Sequence, residues 1–157
     1  MLDISNLDWH KLDHFKDVPN KLIFWLKDDQ SLTQKLKKRY PDFRVEVHKQ
    51  KESVIYGHEI NKLGYEERFI VREVSLYGDN QPVVFARSII PKNSKTDSIM
   101  KIGNKPLGEI LFTDPNIIRE PIEITFHNDV WGRRSVFVMN NSRILVSEFF
   151  LEKIYAR

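Results

Sequence analysis

The stretch RRSVFVMNNSRILVSEFFL, Arg133 to Leu151, decides how the chain is read. Two runs rich in β-branched and aromatic residues flank NNS. Asparagine tolerates positive φ, so NNS predicts a tight turn and the whole stretch a β-hairpin. A strand sends alternate side chains to opposite faces, so Ile144, Val146, Glu148 and Phe150 share one face. One carboxylate then lies among three apolar side chains. An isolated ionised group in a dry interior is very costly, so a charge there needs a partner, a ligand or a way out to water.

Working outward, the same alternation marks four more segments. FRVEVHKQ (43–50) alternates clearly. ERFIVREVSLYG (67–78) and PVVFARSIIP (82–91) flank DNQ, which reads as a hairpin loop. IIREPIEITFHN (117–128) is a further strand, with Pro121 arguing for an edge or a bulge. About six strands are therefore expected. The first third looks helical instead. PNKLIFWLKDD (19–29) carries the apolar cluster Leu22 to Leu26. SLTQKLKKRY (31–40) follows, with Ser31 as a candidate N-cap, basic residues in the last turn, and Pro41 as the stop. KPLGEILFT reads as a short helix from Lys105 to Phe112. Helices first and a mostly antiparallel sheet after them make the chain α+β. No pattern is assigned to residues 50–66.

The chain has 157 residues, with 41% hydrophobic and 30% charged, which suits one soluble globular domain spanning residues 1–157. No segment approaches a membrane span, and MLDISNLDWHKLDHF lacks the order of a signal peptide, so a cytoplasmic location is expected. The absence of cysteine removes disulfides, thiolate metal sites and cysteine nucleophiles. A net charge of +3 with dispersed Lys and Arg gives nucleic-acid binding no support, though it is compatible with a small anionic ligand. No dimerisation seam is evident, so a monomer is the default expectation.

Parity places a second charge on an apolar face. In IVREVSL, Arg72 shares a side with Ile70, Val74 and Leu76. Arg72 and Glu148 either reach solvent at strand ends, form a structural ion pair, or line a pocket in which the arginine holds an anion and the glutamate accepts or moves a proton. Arg87 shares a parity with Val83, Phe85 and Ile89 and is a candidate third inward charge; the alternative is a place at the sheet periphery. His10 and His14 have the spacing of a zinc pair but no third ligand, and read as a solvated helix face. No metal site is expected. WGRR (131–134) is a candidate basic patch; the usual meaning of such a doublet is a solvated turn. The glycines of GNKPLG (103–108) suit a loop running into a helix whose free N–H groups could meet an anion.

WLKDDQSLT, FIVREVSL, ARSIIP, IGNKPLGEILF, WGRRSVF and LVSEFFL, in this order and spacing, resemble bacterial chorismate pyruvate-lyase from about Trp25 to Leu151. The resemblance implies one α+β domain whose antiparallel sheet and helices enclose a ligand. It implies an enzyme without cofactor that splits chorismate into 4-hydroxybenzoate and pyruvate for ubiquinone synthesis. Residue by residue, Arg72 matches the arginine holding the ring carboxylate and Glu148 the acid near the 4-hydroxyl. Leu107 matches a backbone N–H donor and Leu32 a second main-chain contact. Arg87 is assigned to the pyruvyl carboxylate on parity and charge alone. The rivals are an effector-sensing domain of the same fold, for whose usual DNA-binding partner the segment before Trp25 is expected to be too short, and a structural protein with an internal Arg–Glu pair.

Overall fold

The structure is a computed structural model, which describes residues 2–27, 31–64, 68–93 and 95–155. Its frame is a seven-stranded antiparallel sheet: β1 (Arg44–Glu52), β2 (Phe69–Gly78), β3 (Gln81–Pro91), β4 (Ile118–Arg119), β5 (Glu123–His127), β6 (Val130–Met139) and β7 (Ser142–Phe150). The strand order is β1-β2-β3-β7-β6-β4, with β5 also paired to β6. The expected α+β class holds. The sixth expected strand is two, because Pro121 has no N–H to donate; β4 and β5 lie on either side of it and pair separately with β6.

Three two-residue turns join consecutive strands, at Asp79–Asn80, Asn128–Asp129 and Asn140–Asn141, and all six residues have positive φ. Asn and Asp are the non-glycine residues that enter this region most readily, which is why these pairs close the hairpins. The turn length also sets the register: Met139 faces Ser142, and Arg133 therefore faces Glu148.

Four helices cover the sheet: α1 (Asn20–Leu26), α2 (Leu32–Arg39), α3 (Gly57–Leu63) and α4 (Leu107–Thr113). The expected extension of α1 to Asp28 and Asp29 lies outside the described residues. Helix α2 begins as expected, with Ser31 Oγ accepting from the Gln34 N–H at 3.4 Å, and ends with Lys37, Lys38 and Arg39 in its last turn. Helix α4 starts at Leu107, two residues after the expected Lys105, because Pro106 is its N-cap. Helix α3 falls in the stretch left unassigned.

The sheet is buried on both faces. On one, Leu22, Trp25 and Leu26 of α1 and Leu32 and Leu36 of α2 pack on Val74, Leu76, Ala86 and Phe150, while Leu107 and Leu111 of α4 pack on Ile90, Phe137 and Ile144. On the other, Leu63 of α3 packs on Val71, Ile89, Val136 and Leu145, and the N-terminal Ile4 and Leu7 pack on Phe149. Leu22, Leu26 and Leu36 are wholly buried, each stabilising by about 1.5–3 kcal/mol. Among the described residues no helix is long and apolar enough to cross a membrane.

Candidate active site

Arg72 on β2 and Glu148 on β7 point to the face beneath α2 and α4. Cross-strand register fixes this: Arg72 pairs with Ser88, Ala86 pairs with Glu148, and Ser88 and Ala86 alternate on one side of β3. Two strand spacings, about 10 Å, separate their backbones. Between them lies a small cavity of about 50 Å³, lined in part by Leu32, Arg72, Leu107, Arg119, Val146 and Glu148. Beside it, between α2 and α4, runs an open groove of about 770 Å³ whose charged lining includes Lys37, Lys38, Lys101 and Lys105. The groove is larger but solvated, so it cannot strengthen a charge as the inner cavity does. Thr33, Gly108 and Phe112 border both.

The lid over the cavity is built from two helix starts. Leu32 is the first residue of α2 and Leu107 the first of α4, so their N–H groups have no intrahelical acceptor. Gly108 lets them approach, since a Cβ there would come within 3.3 Å of Thr33 Oγ1. On the outer side Lys37 Nζ donates to Glu109 Oε1 at 2.6 Å, linking the two helices.

Arg72 is 2% exposed. Its Nη1 donates to Gln50 Oε1 at 2.6 Å and its Nη2 to the Lys105 carbonyl at 2.9 Å. Both acceptors are neutral, and among the described residues no carboxylate pairs with it. Burial pushes this guanidinium below the ordinary arginine range. A charge held in this way favours a bound anion, because a carboxylate would add the counter-charge that the protein withholds.

Glu148 is already paired, and not with Arg72. Arg133, opposite it on β6, donates Nε to Glu148 Oε1 at 2.9 Å and Nη1 to the Trp25 carbonyl at 2.9 Å. No described residue hydrogen-bonds Glu148 Oε2. The structural Arg72–Glu148 pair is therefore absent: both residues line the cavity, and each hydrogen-bonds other partners.

Arg87 does not join them. A plain two-residue turn at Asp79–Asn80 would have set it opposite Arg72. A bulge between Leu76 and Tyr77 shifts the register by one, so Arg87 faces Glu73 and points to the other side of the sheet. There its Nε and Nη2 donate to Glu59 of α3 at 2.7 and 3.0 Å, and its Nη1 to Glu73 at 2.8 Å. Burial lowers its proton affinity, but the two carboxylates outweigh burial and raise the group above the ordinary arginine range. The assignment of Arg87 to a substrate carboxylate is corrected accordingly: its charge is spent on the opposite face.

WGRR is also corrected. It is not a solvated turn but part of β6, and Arg133 and Arg134 are both buried, on opposite faces. Arg134 Nε donates to Glu123 at 3.0 Å. Arg119 was missed as a pocket residue and Arg133 as the partner of Glu148, and Arg133 had a signal: the two-residue NN turn places it directly across from Glu148. The His10 and His14 rings stack at 3.8 Å beside a short 3₁₀ turn, and among the described residues no group of three His, Asp or Glu side chains could hold a metal.

An α+β pocket holding a buried guanidinium that pairs with no carboxylate among the described residues, an oriented carboxylate and the N–H groups of two helix starts has the chemistry to take a small organic acid. Residues 3–157 match the family described as chorismate lyase. A probable chorismate pyruvate-lyase of Pseudoalteromonas atlantica is 37% identical over 87% of this chain and 82% of its own. One of Psychromonas ingrahamii is 39% identical over 83% and 82%. A chorismate pyruvate-lyase of Pectobacterium atrosepticum is 34% identical over 85% and 78%. The chain belongs to the chorismate lyase family. A solved structure of a "possible transcriptional regulator YydK" from Bacillus subtilis superposes with a TM-score of 0.44 at 10% identity over 72% of this chain and 59% of its own, too loosely to be given weight.

Proposed function

We propose that this protein is a chorismate pyruvate-lyase that converts chorismate into 4-hydroxybenzoate and pyruvate, with Arg72 and Glu148 at the two ends of the ring. The observation that carries the assignment of the site is the buried Arg72 guanidinium, which faces the cavity with no carboxylate partner among the described residues. It holds the ring carboxylate, helped by the N–H groups of Leu107 and Leu32. Glu148, with Oε1 taken by Arg133, offers Oε2 to the ring hydroxyl.

In the reaction the ether C–O bond breaks, its electrons leave with the enolpyruvyl oxygen, and the hydrogen on the carbon bearing the hydroxyl is lost as a proton. The enol takes up a proton at its methylene carbon and becomes pyruvate. Aromatisation of the ring drives the reaction forward, so the protein's task is to orient the ring and stabilise charge on the departing oxygen. Glu148 orients the hydroxyl and accepts from it.

Cavities that accept a benzene-sized ring are on the order of 150 Å³. At about 50 Å³ the present cavity is smaller. Binding therefore requires α2 and α4 to part, and the basic groove between them is the way in. The decisive experiment mixes the protein with chorismate and follows 4-hydroxybenzoate absorbance and pyruvate release. Equal amounts of the two products are expected; neither product above the uncatalysed rate would overturn the proposal.

A further inference from the structure

Arg119 sits on β4, at the end of the sheet away from Arg72, yet it lines the same cavity as Arg72 and Glu148. Its backbone pairs with Phe137 of β6, and its Nε donates to Ser135 Oγ at 3.0 Å. The guanidinium carbon lies 5.2 Å from the ring centre of Phe137 on the sheet and 5.4 Å from that of Phe112 on α4. The head is thus held between floor and lid by aromatic faces that attract a cation.

Its place relative to Arg72 follows from register. Arg72, Ser88, Val146 and Ser135 form one straight row across β2, β3, β7 and β6. Arg72 stands at one end of this row and the Arg119 head, fixed to Ser135, at the other. Glu148 is the next residue on the same face of β7 after Val146. The cavity therefore presents two cationic heads at opposite ends, with a carboxylate beside the line joining them.

That charge pattern matches a dianion. Chorismate carries one carboxylate on the ring and a second on the enolpyruvyl ether, which leaves the carbon next to the one bearing the hydroxyl. The product 4-hydroxybenzoate carries only the first. With the ring carboxylate on Arg72 and the hydroxyl toward Glu148, the ether side chain can leave the ring on either side of that axis, and one of the two orientations turns it toward β6, where the Arg119 head stands. We propose that Arg119 binds the enolpyruvyl carboxylate and so selects the two-carboxylate substrate over the one-carboxylate product. The inference rests on the chorismate assignment above. Its consequence is directional: C–O cleavage detaches the anion that Arg119 holds, and the product is left on Arg72 alone.

The test compares ligands that differ in one carboxylate. Calorimetric titration is run on the wild-type protein, Arg119→Met and Arg119→Lys, with 4-hydroxybenzoate and with 4-hydroxyisophthalate, which adds a carboxylate beside the hydroxyl. In Arg119→Met, affinity for the dianion is expected to fall about 10- to 100-fold, while that for 4-hydroxybenzoate changes less than about threefold. Arg119→Lys recovers part of the loss, and kcat/KM for chorismate falls mainly through KM. Equal loss for both ligands would make Arg119 a structural residue and overturn the proposal, as would no loss for either. If Arg119→Met fails to fold, Arg119→Gln carries the same comparison. A wild-type protein that turns over no chorismate would overturn the assigned reaction instead, and the two-ligand comparison would still decide the role of Arg119.

Discussion

Arg133 and Glu148 face each other across β6 and β7, Nε to Oε1 at 2.9 Å, because a two-residue turn leaves them no other register. Arg133 is fully buried, and Glu148 is 15% exposed on the cavity side. One carboxylate oxygen is thereby fixed, so the pair orients the Glu148 carboxylate as well as neutralising it.

Removing one partner strands the other. Arg133→Met is expected to destabilise the protein by about 3 kcal/mol, since it leaves a carboxylate in the core without its counter-charge. Turnover should fall at least about tenfold, because an unfixed carboxylate no longer presents Oε2 to the ring. Replacing both residues, Arg133→Met with Glu148→Met, should recover most of the stability and none of the activity. Denaturant midpoints and initial rates on the same preparations check both halves.

Arg72 predicts the opposite sign for stability. Among the described residues its guanidinium hydrogen-bonds neutral acceptors only. Arg72→Met should leave the unliganded protein as stable as the wild type or more so. The same change should abolish most 4-hydroxybenzoate affinity, about 10- to 100-fold or more. A thermal-shift assay reads both effects at once. At a hundred times Kd the ligand adds about 2.7 kcal/mol to the wild type, which raises Tm by roughly 5–10 °C in a chain of this size. The variant should show no such rise.

Much of this was legible in the alternation pattern. Parity set Arg72 among Ile70, Val74 and Leu76, and Glu148 among Ile144, Val146 and Phe150, but left open whether the two charges point inward or reach solvent at strand ends. What parity cannot show is which face of the sheet an inward residue occupies. That depends on register, and the one-residue bulge at Leu76–Tyr77 moves Arg87 from the cavity side to the side of Glu59. Arg119 was hidden for another reason. It lies in a two-residue strand cut short by Pro121, too brief to show any period. Helix α3 carries no strong apolar period in Gly57–Leu63; Glu59 is buried in it only because Arg87 arrives from a strand distant in sequence.

The Arg87 cluster is a structural element on this account. Arg87→Met would leave Glu59, at 1% exposure, without its partner, and should cost about 3–5 kcal/mol. Adding Glu59→Gln should return part of the loss, because a neutral amide needs no counter-charge. Chemical denaturation of the single and double variants tests this; additive losses would argue against the pair acting as a unit.

A pH dependence follows from Glu52. Hydrogen bonds from Arg68 and then from Lys92 hold its carboxyl at about 2, down from 4.5. A carboxyl whose folded value is depressed adds stability above its unfolded value, and that contribution fades as pH falls from about 4.5 toward 2. The stability difference between wild type and Glu52→Gln should therefore be larger at pH 6 than at pH 3. An unchanged gap across that window would mean that the three side chains do not act together in solution.

Enclosure is expected to set the rate of product release. The ligand cavity lies under the starts of α2 and α4, and Lys37 Nζ sits 2.6 Å from Glu109 Oε1 across the outer face of those helices. Both side chains are about half exposed, so the pair contributes at most about 1 kcal/mol, or a factor of about five in the opening equilibrium. Burial of Leu32, Leu107 and Leu111 against the sheet holds the lid more firmly. Opening should therefore limit turnover, with 4-hydroxybenzoate accumulating on the enzyme and curving the progress curve early. Lys37→Ala should speed dissociation of 4-hydroxybenzoate by no more than about fivefold. Leu111→Ala, which loosens the lid from beneath, should speed it more while lowering thermal stability by about 2–5 kcal/mol. Stopped-flow displacement of bound product measures these rates directly. Linear progress curves in excess product, together with dissociation faster than turnover, would show that the helices do not gate the site.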